Sequence, residues 1–294
     1  MAGFAIDGHR IEAPPLEPAL YLVATPIGNL RDITIRALET LAACDVLACE
    51  DTRITRRLLD RYAIAHKPVA YHEHNARQAG PRLLAALDAG RSVALVADAG
   101  TPLISDPGYR LVAEARAAGH RIVPIPGASA VLAALTASGL PTDDFRFIGF
   151  LPARDKARRD LLAQLAQART TLVAFDSPHR LAASLNAIAE VMGAERQVCV
   201  ARELTKRFET VSCGLSGELK EQFGSETVKG EIVLLIAPTG EAAAPPSEAE
   251  IEALLAGLVE TMPAARAARE AASRTGLPRA DLYKRLIALK RTDG

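Results

Sequence analysis

The chain has 294 residues, and its 35 lysines and arginines balance its 35 aspartates and glutamates, so the formal net charge is zero. Apolar residues make up 49% and charged residues 24% of the sequence, as in an ordinary globular protein. This composition excludes a disordered chain, a collagen-like fibre and a uniformly basic nucleic-acid coat, so any RNA must be bound by local basic patches.

Length and targeting signals limit the architecture. At roughly 100–200 residues per domain, the chain suffices for about two domains. Its longest apolar runs, 93–97 and 232–237, fall short of the ~20 residues that cross a bilayer, and residues 1–18 lack the apolar core of a secretory signal. Four cysteines without a CxxC pair predict reduced thiols in a cytoplasmic protein with no membrane contact. These are Cys44, Cys49, Cys199 and Cys213.

Short apolar segments alternate with segments of helical spacing in the first half of the chain. Because strands buried on both faces alternate with helices, we predict a largely parallel sheet covered by helices. The predicted strands are 19–24, 45–49, 69–71, 93–97 and 122–125. The predicted helices are 34–43, 54–61, 76–89, 107–118 and 128–138.

A loop rich in Gly, Pro and Asp at 139–144 separates a second set of elements. Consecutive strands around 197–213 indicate mixed rather than purely parallel pairing. The predicted strands are 145–150, 172–175, 197–201, 208–213 and 231–237, and the predicted helices are 158–168, 178–192 and 217–223.

The last part of the chain is predicted to be a linker followed by helices. The sequence PTGEAAAPPS at 238–247 is typical of a linker. Gly276 and Pro278 are expected to end one helix and begin the next, which fits either a helix-turn-helix or a small helical cap. Residues 239–262 carry a net charge of −5 and residues 263–294 a net charge of +5, so the last helices could bind phosphate.

We predict a tail (1–18), two α/β domains (19–141 and 142–238), a linker (239–247) and a helical domain (248–294).

Four loops rich in glycine and proline lie at strand ends. They are TPIGNL (25–30), DAGTP (98–102), DPG (106–108) and PIPGAS (124–129). Ligands of open α/β sheets bind at the carboxyl ends of strands, where glycine lets the backbone approach closely, so these loops predict a binding site. DPG alone could instead be a helix cap with proline at the first position. Neither GxGxxG nor GxxxxGK[ST] is present, which disfavours dinucleotide and P-loop sites.

Further motifs give the chain a family resemblance. They are EDTR (50–53), YHEHN (71–75), GFLPA (149–153), SPHRL (177–181), ARELTK (201–206) and KGEIVLL (229–235). With the four loops, they resemble the tetrapyrrole-methylase-like methyltransferases, most closely the branch that methylates small-subunit ribosomal RNA. The likeness runs from about residue 20 to about residue 289, and the segment before residue 19 has no evident counterpart.

The resemblance implies a two-domain α/β methyltransferase of class III with a small C-terminal helical, helix-turn-helix-like domain. It also implies S-adenosylmethionine as cofactor, a homodimer, and methylation of the ribose 2′-hydroxyl of cytidine 1402 in the decoding centre of 16S rRNA within the small ribosomal subunit. By position, the donor would be bound by Pro26, Gly28, Asp98, Ala99, Gly100, Thr101, Ser129, Phe175, Ala201 and Glu231.

The chemistry needs few catalytic groups, because the methyl donor is already activated and the transfer is an in-line displacement. A ribose hydroxyl is a weak nucleophile, so a proton acceptor should assist it. We predict catalytic roles for Asp51, His74 and Lys206. Asp51 could equally be a helix cap. His72 and His74 could contact RNA phosphate, and without an evident third ligand we predict no metal site.

Two basic clusters are candidates for RNA phosphate contacts. Arginines at i, i+3, i+4 and i+8 from residue 53 share one helix face, and a second group follows GFLPA. We predict RNA binding by Arg53, Arg56, Arg57, Arg154 and Arg158, although such clusters are also typical of solvated faces. Aromatic residues are 4% of the chain, which disfavours base stacking.

Two other functions remain open from the sequence. One is methylation of a tetrapyrrole or of a modified amino acid on a protein, although the basic cleft suits an apolar macrocycle poorly. The other is a non-catalytic ribosome-assembly factor that binds rRNA through the helical tail. The second alternative predicts that no methyl-donor site exists.

Overall fold

The computed structural model describes residues 2–105, 108–224, 228–239, 248–275 and 278–292. The chain forms two compact units, Met1–Thr239 and Gly240–Gly294. No helix in the described part is long and apolar enough to cross a membrane.

The first unit begins with a hairpin, where the sequence predicts no element. Strands β1 (Gly3–Ile6) and β2 (His9–Glu12) pair in antiparallel fashion across an Asp7-Gly8 turn, whose residues both have positive φ. An Asp-Gly pair of this conformation is a favoured two-residue hairpin turn. Phe4 is completely buried in the core of the first sheet, so the hairpin is part of the folded unit.

The first sheet contains β3 (Leu20–Val23), β4 (Val46–Cys49), β5 (Val69–Ala70), β6 (Val93–Val96) and β7 (Ile122–Ile125). Its spatial order is β5-β4-β6-β3-β7 and all of its pairs are parallel, as predicted. The chain leaves the neighbouring strands β3 and β6 in opposite directions, which opens a crevice at their carboxyl ends. The accompanying helices are α1 (Ile35–Ala43), α2 (Thr52–Arg61), α3 (Ala76–Asp88), α4 (Tyr109–Ala117) and α5 (Ala130–Ser138).

The second sheet has mixed pairing, as predicted. Its spatial order is β11-β10-β12-β9-β8; β8 and β9 are parallel and the other pairs antiparallel. The strands are β8 (Phe145–Phe150), β9 (Thr171–Asp176), β10 (Gln197–Arg202), β11 (Thr210–Leu215) and β12 (Ile232–Ile236). Its helices are α6 (Asp155–Leu165), α7 (Leu181–Met192) and α8 (Ser216–Gly224).

Helix α5 joins the two sheets. Ala134 and Leu135 of this helix belong to one buried cluster with Val173, Cys199 and Leu235 of the second sheet. Because α5 directly follows β7 of the first sheet, its packing brings the carboxyl end of that sheet against the second sheet.

The prediction of four reduced thiols is wrong for one pair. Cys199 and Cys213 lie directly opposite each other in the β10–β11 register and form a disulfide, whereas Cys44 and Cys49 are free and buried. The strand register creates this pair, and a separation of 14 residues in the sequence does not reveal it.

The second unit is helical, as predicted. Helices α9 (Glu248–Thr261), α10 (Ala264–Thr275) and α11 (Arg279–Thr292) enclose a small core that includes Leu255, Ala267 and Leu282. Pro278 directly precedes α11, which agrees with its predicted role at a helix start. The helix-ending role of Gly276 and the linker at 240–247 lie outside the described residues.

Candidate active site

A cavity of about 310 Å³ lies between the carboxyl ends of β3 and β6 and the second sheet. This volume is at the lower end of the range for small-molecule pockets. We call it the donor cavity. Eight of the ten residues predicted to bind the methyl donor line it. They are Asp98, Ala99, Gly100, Thr101, Ser129, Phe175, Ala201 and Glu231.

Two loops predicted from glycine and proline hold one wall of the donor cavity. Thr25 and Gly100 exchange backbone hydrogen bonds of 2.9 and 3.0 Å, so the loops after β3 and β6 are fixed to each other. Gly100 has φ +77°, a conformation that glycine adopts without strain. Next to these loops, the Ser129 hydroxyl caps α5 by accepting from the Leu132 amide.

Pro26 and Gly28, which were also predicted to bind the donor, do not line the cavity. Pro26 is buried. A Cβ at Gly28 would lie 2.5 Å from Lys206 Cγ and 2.8 Å from Thr205 Oγ1. Glycine is therefore required at position 28 because the segment after β10 packs directly on this loop.

Several residues of the donor cavity were not predicted. Phe150 and Phe175 form an edge-to-face pair with ring centroids 5.3 Å apart, and Phe150 is 58% exposed. Phe150 belongs to the GFLPA motif at the end of β8. The sequence pattern of that strand does not reveal that the Phe150 ring faces a cavity. The other unpredicted lining residues are Ile27, Ile104, Ser105, Ala130, Val131, Asp176, Leu204, Ile232 and Val233.

The ionisable groups that line the donor cavity are all acidic. Asp98, Asp176 and Glu231 contribute carboxylates, and none of its described lining residues is a lysine or an arginine. Asp176 is buried, and one of its oxygens accepts from the Ser177 amide and from Arg180. Glu231 is paired with Lys206 and Asp176 with Arg180, whereas Asp98 has no ion-pair partner among the described residues. Coulomb attraction to Asp98 therefore favours a cationic ligand over a phosphate.

Lys206, also predicted to be catalytic, is held in two ion pairs. Its Nζ lies 2.8 Å from Glu203 Oε1 and 3.1 Å from Glu231 Oε2. Desolvation alone would lower the pKa of Lys206, but hydrogen bonds to both carboxylates raise it. An ammonium held in this way is no proton acceptor. It connects the 203–206 segment to Glu231 at the wall of the donor cavity.

Asp51, also predicted to be catalytic, is the N-cap of α2. Its Oδ1 accepts from the Arg53 amide at 2.7 Å, and both of its oxygens bind the Arg53 guanidinium. The side-chain hydrogen bonds from Arg53 lower the pKa of Asp51 to about 2. The cap interpretation of Asp51 is therefore the one that the structure shows, and its carboxylate is already engaged.

His74, the third predicted catalytic residue, lines a second, open cavity of about 470 Å³. This cavity lies at the carboxyl ends of β4, β5 and β6 and is lined by Glu50, Asp51, Thr52, Ala70, His72, His74 and Asp98. Asp98 lines both cavities, so the two adjoin. Burial, followed by the nearby Asp98, raises the pKa of Glu50. The described residues contain no cluster suited to a metal ion, despite the two histidines.

The two basic clusters differ. Arg53, Arg56 and Arg57 are exposed on α2, which begins at the rim of the second cavity. The prediction for Arg158 is wrong. This side chain is 3% exposed and donates to Asp155 at 2.7 Å and to the Pro152 carbonyl at 3.3 Å, because it lies on the buried face of α6. Arg154 is exposed at the N-cap of α6.

Substitution of Gly230 tests whether the position of the 203–206 segment matters for donor binding. A Cβ at this position would overlap the Glu203 side chain, and Gly230 has φ +98°. We expect Gly230→Ala to lower stability by more than the ~1–3 kcal/mol of backbone strain alone and to weaken donor binding. Gly119→Ala is the matched control, because Gly119 has φ +84° and open space around its Cβ position. Thermal unfolding and calorimetric titration measure both effects, and equal losses in the two variants would show that the position of this segment does not matter for donor binding.

Comparison with known proteins gives the family. A family model described as tetrapyrrole (corrin/porphyrin) methylases matches residues 19–220, and one described as the RsmI C-terminal HTH domain matches residues 245–290. A ribosomal RNA small subunit methyltransferase I of Mesorhizobium japonicum is 57% identical over 286 residues, which are 97% of each chain. The helix-turn-helix interpretation of the C-terminal unit is thereby favoured over the simple cap.

Solved structures agree with the fold. A diphthine synthase structure aligns with TM-score 0.60 and 16% identity, covering 76% of this chain and 91% of that one. A Thermus thermophilus uroporphyrin-III C-methyltransferase complexed with S-adenosylhomocysteine aligns with TM-score 0.53 and 19% identity, covering 74% and 96%. The expected fold, and S-adenosylmethionine as the methyl donor, are confirmed at the level of the family. The chain belongs to the tetrapyrrole methylases, and within them to the ribosomal RNA small subunit methyltransferase I family.

Proposed function

We propose that this chain transfers a methyl group from S-adenosylmethionine to the ribose 2′-hydroxyl of a cytidine in the decoding centre of 16S rRNA. The observation that carries the proposal is the donor cavity, which brings residues from both sheets together around acidic groups. The rRNA substrate is supported by the relative that is 57% identical over nearly the whole chain. The ribose position and the cytidine come from the motif resemblance.

The donor cavity fits the chemical groups of S-adenosylmethionine. Its sulfonium and ammonium are cationic and suit the carboxylate of Asp98, which has no ion-pair partner among the described residues. Its carboxylate suits the N-terminus of α5, where backbone amides and the helix dipole favour an anion. Its adenine suits the exposed ring of Phe150. When bound, the donor supplies an activated methyl group.

The residues of this chain contribute to catalysis mainly by positioning the two reactants. Holding the two reactants in line is worth roughly 7–11 kcal/mol of the barrier, and the Thr25–Gly100 pairing and the Lys206 ion pairs hold the walls that do so. His74 is proposed as a proton acceptor or phosphate contact beside the second cavity. Asp51 is less suited to proton transfer because Arg53 occupies its carboxylate.

RNA binding is proposed for the exposed arginines. Arg53, Arg56 and Arg57 of α2 lie beside the second cavity, and Arg154 caps α6. The donor cavity argues against the alternative of a non-catalytic assembly factor, which needs no such site. The weak identity to tetrapyrrole methylases of known structure supports the shared fold alone.

We further propose a homodimer that acts in the cytoplasm on the small ribosomal subunit. The substrate dictates the compartment, because small subunits are there.

Gly100 tests the donor site. Gly100 lines the donor cavity, and a side chain there would start 3.4 Å from Ile27 Cγ2. We expect Gly100→Val to weaken S-adenosylmethionine binding by about 10–100-fold, which corresponds to the 1–3 kcal/mol cost of overpacking. Gly119→Val carries the same positive-φ strain without neighbours and should bind the donor as the wild type does. The affinities are measured by calorimetric titration. Equal affinities for the two variants would show that the donor does not bind in this cavity.

The arginine face of α2 is tested through salt dependence. Arg56→Ala combined with Arg57→Ala should reduce the slope of log K against log salt by about 0.7–0.9 for each phosphate that the variant no longer neutralises. Arg110→Ala with Arg116→Ala, a pair of exposed arginines on α4, is the matched control and should keep the wild-type slope. Titration with a decoding-centre fragment of 16S rRNA measures the slopes; two identical slopes would assign Arg56 and Arg57 to the solvated surface.

A further inference from the structure

The second cavity adjoins the donor cavity. Asp98 lines both, and its Oδ1 accepts from the Asp51 amide at 2.9 Å, so the carboxylate is fixed between them. A group that receives a methyl from a donor in the first cavity must approach from a neighbouring opening. The second cavity is such an opening, and the arginine face of α2 starts at its rim.

The three carboxylates of the second cavity differ in how many of their oxygens already accept hydrogen bonds from the protein. Both oxygens of Asp51 are bound by Arg53, and Asp98 Oδ1 is bound by the Asp51 amide. Glu50 is half-buried, and within the described part of the chain its carboxylate accepts no hydrogen bond. Its oxygens reach solvent in the open cavity, so Glu50 is the carboxylate here that remains free to accept a hydrogen bond from a ligand.

His72 lies near Glu50 in the lining of this cavity. The backbone amide of His72 donates to Asn75 Oδ1 at 2.8 Å, which fixes the residue. Its ring Nδ1 is buried and has no hydrogen-bond partner. The cavity therefore presents one free carboxylate, that of Glu50, next to a histidine whose backbone the fold holds in place.

We propose that the second cavity holds the base of the target nucleotide and that Glu50 selects a base with an exocyclic amine. The inference rests on the proposed function and adds the residue that chooses the nucleotide. An ionised carboxylate only accepts hydrogen bonds, so it pairs with the N4 amine of cytosine. Uracil presents an O4 acceptor at the same place, so the carboxylate would face another acceptor and stay unsatisfied.

The test compares two substrates with two variants. Small ribosomal subunits from a strain without this protein carry either cytidine or uridine at the methylated position, and methyl transfer from labelled S-adenosylmethionine is followed under single turnover. Glu50→Gln replaces a pure acceptor by an amide that both donates and accepts. We expect the cytidine-to-uridine rate ratio to fall by roughly 10–100-fold, the effect of one hydrogen bond to a charged group, with unchanged donor affinity.

Glu73→Gln is the matched control, because Glu73 is exposed and lines neither cavity. It should keep the wild-type ratio. If Glu50→Gln is too slow to measure, the same ratio is obtained from dissociation constants of decoding-centre RNA with cytidine or uridine, using enzyme saturated with S-adenosylhomocysteine.

A wild-type ratio in Glu50→Gln, by rates or by dissociation constants, would overturn the selection of the base by Glu50. Failure of the proposed function has a different signature, because the wild-type protein would then not bind S-adenosylmethionine in calorimetry. That result would contradict the proposed methyl-transfer site, and with it the inference about Glu50.

Discussion

The packing of α5 against the second sheet is the interaction on which the rest of the structure depends. Ala134 and Leu135 are buried with Val173 and Leu235, and removal of this apolar surface from water favours the union of the two sheets. Ser129, which caps the same helix, lines the donor cavity. One helix therefore both joins the sheets and forms a wall of the site between them.

The part of the cavity lining that contains Leu204 and Glu231 depends on close backbone approach. Gly28 and Gly230 each leave room for the segment after β10, whose residues Glu203 and Thr205 have positive φ. Strain of this kind persists only where surrounding contacts hold it, and Lys206 supplies such contacts through two ion pairs. The second half of the chain thus helps to shape the donor cavity, although the glycine loops of the cavity belong to the first half.

Much of the fold and the location of the donor cavity could be predicted from the sequence, because β-branched runs and glycine loops are local signals. The parallel first sheet and the mixed pairing near 197–213 follow from them, whereas the eight correctly placed residues of the cavity were named from the family resemblance. The Cys199–Cys213 pair depends on strand register, and the burial of Arg158 depends on which face of α6 meets the core. Such properties arise from tertiary packing, which spacing alone does not reveal. Lys206 was selected by its motif, but its two ion partners determine its role.

The most direct test of the account is mass spectrometry of 16S rRNA from cells that lack this protein. The account predicts that one ribose methyl group, on a cytidine of the decoding centre, is absent and returns when the wild-type gene is restored. An unchanged set of methylated nucleosides in the small-subunit rRNA, or the loss of a methyl group from a base instead of a ribose, would contradict it.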